Sequence, residues 1–120
     1  MLNCRISGSR LIEKAFWGYQ LDVVYSVNGA PIRLTEERWQ HIVNNKPYME
    51  AYYDRILSCI EKPTWILHGY AGSLIAVLSV AKQRYLHVVY KEIGQNDGFV
   101  ITAFIAKKYN RKMIIWAQNT

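Results

Sequence analysis

The stretch from Leu74 to Lys108 leaves this chain little choice of architecture. An apolar run, LIAVLSVA (Leu74–Ala81), is followed by QRYLHVVYKEI (Gln83–Ile93), a turn GQNDG (Gly94–Gly98) and FVITAFIAKK (Phe99–Lys108). Strands joined by turns this short pair with their neighbours as an antiparallel meander. Basic residues cluster at the strand ends. Residues 82–112 hold seven Lys/Arg against two acids, a net +5 out of +6 for the whole chain. The positive charge therefore belongs to a folded sheet region, and a polyanion is its natural partner.

A length of 120 residues predicts a single domain, 1–120. With 51% hydrophobic and 20% charged residues the chain can bury a core, and nothing reads as disordered. Cys4 and Cys59 stand 55 residues apart without a CxxC or a matching His pair. That excludes the usual metal spacings and predicts reduced thiols in a cytoplasmic protein. No metal and no cofactor are expected. The opening MLNCRISGS lacks the apolar stretch of a signal peptide, and the longest apolar run is far short of the ~20 residues of a membrane span.

Before the meander, Arg10–Phe16 and Tyr19–Val27 read as a hairpin joined at Trp17-Gly18, with a period of two in the second strand. Asn28-Gly29 and Pro31 then signal a turn. Thr35 is placed to cap a helix whose first turn holds Glu36 and Glu37 and whose buried side holds Trp39, Ile42 and Val43. A second helix is predicted from Pro47 to Glu61, with Met49, Tyr53, Ile56, Leu57 and Ile60 on one face. Strands follow at Thr64–His68, Leu74–Lys82, Arg84–Ile93 and Phe99–Ile105, with a short one at Met113–Trp116. The expectation is an α+β domain: an N-terminal β-hairpin (10–30), two α-helices, then a four-stranded antiparallel sheet.

LTEERWQHIVNNKPYM (Leu34–Met49) followed by KQRYLHVVYKEIGQNDGFVITAF (Lys82–Phe104) resembles the phage-barnase-EndoU-colicin-RelE-like (PBECR) nuclease group. The likeness covers residues 33–108. It rests on Arg-Trp-x-His-Ile, a Pro-x-Met and Asp-Gly-Phe-x-Ile-Thr-Ala in that order. It implies the BECR fold of barnase and RelE type, with two helices on a four-stranded antiparallel sheet. It also implies a toxin-like or phage-associated endoribonuclease, with an acidic antitoxin or immunity protein as a partner. One departure stands out. Lys46 occupies the place before the proline where family members often carry histidine. Lysine, with an ordinary pKa of about 10.4, is a poor base near neutrality, so phosphate binding is its expected role.

Metal-free RNA cleavage by 2′-OH attack needs a base, an acid and a stabiliser of charge on phosphorus. His41, on the first helix but off its buried stripe, is the acid–base candidate. Thr102, a hydroxyl in an apolar strand, is either a donor to phosphate or a strand-forming residue bonded to its neighbours. Alternation places it with Val100 and Phe104. Lys91 is the candidate electrostatic stabiliser. Arg84, an odd number of residues earlier on the same strand, falls on the opposite face. Lys46, Arg84 and Lys107 are candidate phosphate contacts, and Tyr85 could stack on an unpaired base. The leading reading is a metal-independent endoribonuclease. The alternative is a non-catalytic RNA- or protein-binding module on the same fold. A third is a homodimer formed through the N-terminal hairpin.

Overall fold

The computed structural model describes the backbone of residues 10–14 and 20–118, and side chains from Asp22 to Gln118. Cys4 and the expected Trp17-Gly18 turn lie outside the described residues. Eight strands form one sheet: β1 (Arg10–Lys14), β2 (Gln20–Tyr25), β3 (Pro31–Thr35), β4 (Trp65–His68), β5 (Leu74–Ala81), β6 (Arg84–Glu92), β7 (Gly98–Ala106) and β8 (Ile114–Ala117). Their spatial order is β1-β2-β3-β7-β6-β5-β4-β8. The two α-helices are α1 (Glu36–Asn45) and α2 (Tyr53–Glu61).

The α+β class stands, but the four-stranded antiparallel sheet needs correction. Strands β4 to β7 are antiparallel neighbours within a larger mixed sheet. The N-terminal hairpin is part of that sheet. The missing link is β3, read from sequence as a turn. It pairs antiparallel with β2 and parallel with β7, at Arg33↔Phe99. Gly29, at φ +86, makes the tight turn that sends the chain back, and Ser26 N–H donates to the Ala30 carbonyl at 2.9 Å. Pro31 is tolerated because it is the first residue of its strand. Ile32 and Leu34 then alternate into the core.

The parallel junction depends on Gly98. A Cβ there would lie 2.5 Å from Ile32 Cδ1 and 2.7 Å from the Lys91 carbonyl oxygen. Asp97 locks the same corner. It pairs with Arg33 at 2.9 Å and accepts from the Gly98 N–H at 2.9 Å.

Both helices cover one face of the sheet. Thr35 Oγ1 accepts from Arg38 N–H at 3.2 Å and starts α1. Ile42, Ile56, Leu57, Cys59 and Ile60 pack on Val24, Ile32, Leu34, Leu86, Val88, Tyr90, Val100 and Ala103, all buried. The expected helix from Pro47 to Glu61 is two elements. A 3-10 segment runs Pro47–Tyr52, because Met49 N–H donates back three residues to the Lys46 carbonyl, and α2 begins at Tyr53.

The other face carries Trp65, Val77, Tyr85, His87, Val89, Lys91, Thr102 and Phe104. No helix covers it. The connection from β7 to β8 crosses it instead. Tyr109 on that connection stacks on Trp65 at 4.2 Å and meets Tyr85 edge-on at 4.9 Å. His87 lies beneath, stacked on Phe104 at 4.7 Å.

Candidate nucleic-acid interface

Strand direction sorts the charge of residues 82–112 to opposite ends of the sheet. At one end lie the two acids, both engaged. Asp97 binds Arg33, and Glu92 accepts from Ser26 Oγ at 2.5 Å and from Asn28 Nδ2 at 3.1 Å. At the other end lie Lys82 and Arg84 around the β5–β6 turn, and Lys107 and Lys108 after β7. Arg111 and Lys112 follow on the crossover connection. No ion pair holds any of these six cations among the described residues.

Two adjoining hollows open at that end. The larger, about 440 Å³, is lined by Tyr48, Gln83, Arg84, Ile105, Ala106 and Lys107. The smaller, about 260 Å³, is lined by Tyr85, Lys107, Lys108, Tyr109 and Arg111. Lys107 is common to both. Tyr48 is 48% exposed, and its hydroxyl accepts from Ile105 N–H at 3.5 Å, which ties the ring tip to β7. The Arg111 guanidinium lies 5.6 Å from the Tyr109 ring centre, a cation–π distance. Cations that follow the backbone of a single strand, beside rings that can take a base, are what binding of unpaired nucleic acid requires.

Three of the four candidate substrate contacts, Arg84, Tyr85 and Lys107, come together here. The fourth, Lys46, is the hinge between α1 and the 3-10 segment, half-buried and outside the lining of both hollows.

The candidate catalytic set does not converge. His41 is exposed on α1, where its Nε2 accepts from Asn45 Nδ2 at 3.2 Å. Helix α1 packs on the face where Val88, Tyr90 and Val100 point. Lys91 and Thr102 alternate onto the opposite face. Lys91 also sits seven residues from Arg84, about 23 Å along the strand at about 3.3 Å per residue. The expected grouping of Thr102 with Val100 is corrected by a bulge. Val89 pairs with Thr102 but Tyr90 with Val100, so Ile101 is an inserted residue. Thr102 keeps company with Phe104 alone of the two.

Burial shifts two further groups, Cys59 and His87. Burial pushes the Cys59 thiol far up, so it stays protonated and packs as a small apolar residue. Burial lowers the His87 pKa below its ordinary 6.5, opposed by the bond its Nδ1–H donates to the Tyr85 carbonyl at 3.0 Å. No three His, Cys, Asp or Glu side chains among the described residues stand close enough to share a metal ion. No helix among the described residues is long and apolar enough to cross a membrane.

Sequence reasoning missed Tyr48, Gln83 and Tyr109. Tyr109 carried a usable signal, an aromatic set inside the basic run KKYNRK. Tyr48 and Gln83 carried none, since only the folded chain brings the 3-10 segment to the β5–β6 turn. No family model, no curated protein and no solved structure matches the chain.

Proposed function

We propose that this protein is a non-catalytic RNA-binding module that holds an unpaired stretch of RNA across the basic end of its sheet. One observation carries the reading. Four cations, Arg84, Lys107, Lys108 and Arg111, and no carboxylate line two adjoining hollows that also hold Tyr48, Tyr85 and Tyr109. Each cation can neutralise a phosphate, and exposed tyrosine can stack on a base freed from pairing. The packing of two helices on the antiparallel run β4–β7 supports a distant kinship with the BECR group. Cleavage is left out of the proposal because His41 and the Lys91–Thr102 pair lie on opposite sides of the sheet.

The test uses a fluorescein-labelled RNA 12-mer and the full chain, read by anisotropy and by denaturing gels in EDTA. The expected result is salt-sensitive binding of intact RNA, weakened by Lys107→Glu. Cleavage by the wild type alone, with 2′,3′-cyclic phosphate ends and lost in His41→Ala, would restore the endoribonuclease reading. Equal affinity for DNA of the same sequence would replace RNA by single strands in general. No binding of either would end the reading.

A further inference from the structure

The two hollows differ in size and chemistry. The smaller is ringed by three cations and two tyrosines that meet edge-on, with no uncharged amide or aliphatic side chain in its lining. The larger has an aliphatic floor, Ile105 and Ala106, one ring, Tyr48, two cations at its margin, and one carboxamide, Gln83. Its volume of about 440 Å³ falls in the range of about 300–1,000 Å³ typical of small-molecule pockets, whereas 260 Å³ does not.

Gln83 holds an unusual position. It is the second residue of the two-residue turn between β5 and β6, with Ala81 paired to Arg84, and its backbone is left-handed at φ +56. Glycine or asparagine suits such a place better. The side chain is exposed, and its carboxamide makes no hydrogen bond within the described residues. A strained residue with an unused donor–acceptor pair at the rim of a hollow is available to a ligand.

We infer that the larger hollow is a single-nucleotide subsite in which Gln83 reads the base and selects adenine; this rests on the RNA-binding reading above. A carboxamide offers one acceptor beside one donor. Adenine presents the complement, an N6 amino group beside the N7 acceptor, and glutamine meets it with two hydrogen bonds. Tyr48 supplies the ring on which the base stacks. Arg84 and Lys107 hold the phosphates on either side, and the strand continues over Lys107 into the smaller hollow.

The experiment compares oligouridylate octamers carrying one central adenine, cytosine or guanine, titrated by anisotropy into wild type and Gln83→Gly. Glycine is at home at this φ, so the variant keeps the turn and loses only the amide. The wild type should favour the adenine octamer about tenfold over oligouridylate, the scale of one bidentate base contact. A 7-deaza-adenine octamer should lose that advantage. In Gln83→Gly the ratio should fall to about one. A ratio near one in the wild type, a preference for guanine, or a preference that survives in Gln83→Gly overturns the inference and leaves RNA binding standing. Failure of every octamer to bind overturns both.

Discussion

The salt dependence of RNA binding is the sharpest test of the basic end, because the structure sets its size. Four cations line the two hollows: Arg84, Lys107, Lys108 and Arg111. For single strands, log K falls against log salt with a slope of about −0.7 per phosphate neutralised. Four contacts give a slope of about −2.8, so raising salt from about 50 to about 200 mM should weaken binding roughly 50-fold. Replacing Arg84 and Lys107 by glutamine removes two contacts and leaves a slope of about −1.4, a loss of only about 7-fold over the same range. Lys91→Gln serves as the contrast. Lys91 sits at the acidic end of β6, so its loss should leave the slope as it was. Anisotropy titrations at four salt concentrations give each slope directly. A wild-type slope shallower than about −1 refutes phosphate neutralisation at this site. A slope that responds to Lys91→Gln but not to the double variant places the binding face at the opposite end of the sheet.

Three further outcomes follow from the core. Gly98→Ala forces a methyl group against Ile32 and the Lys91 backbone, where β3 meets β7, and should cost about 1–3 kcal/mol of stability in urea titrations. Tyr90→Phe removes a buried hydroxyl that has no hydrogen-bond partner among the described residues, and should leave stability unchanged or raise it by up to about 1 kcal/mol. His87 has a native pKa depressed below its ordinary 6.5 by burial, so the unfolded chain binds its proton more readily. Stability should therefore fall as pH drops below 6.5 and level off only beneath the depressed native value. In His87→Gln that segment of the pH profile should be flat in denaturant midpoints.

The strands of the meander were legible because their apolar runs are long and two of the three turns between them carry glycine. The first helix was legible for a similar reason: Thr35, Glu36 and Glu37 mark its start, and the structure shows the Thr35 cap. Strand β3 was not legible. Five residues beginning with proline, directly after Asn28-Gly29, look like the continuation of a turn. Their pairing with β2 on one side and with β7, more than sixty residues away, on the other makes them a strand. The bulge at Ile101 was hidden too, since an inserted residue in an apolar strand leaves the hydrophobic pattern intact while changing which face Thr102 meets.

The motif letters that gave the chain its likeness to a nuclease group have structural work in this fold. Asp97 holds Arg33 and caps Gly98, and Gly98 lets two strands approach. Ile101 and Thr102 make the bulge. Trp39 packs edge-on against Tyr53 at 4.8 Å, and Ile42 fills the core. A pattern made of such residues reports how the sheet is joined and covered, and two proteins can share it without sharing a reaction. The residues that face solvent with unspent chemistry are of another kind. Gln83, Tyr48 and the cations from Lys107 to Lys112 lie outside those motif letters or in their variable places. They meet only because β5–β6, the end of β7 and the 3-10 segment converge. Chemistry assembled by convergence of short exposed segments can be gained or lost without disturbing the core, so in this chain the basic end is the better guide to what it binds.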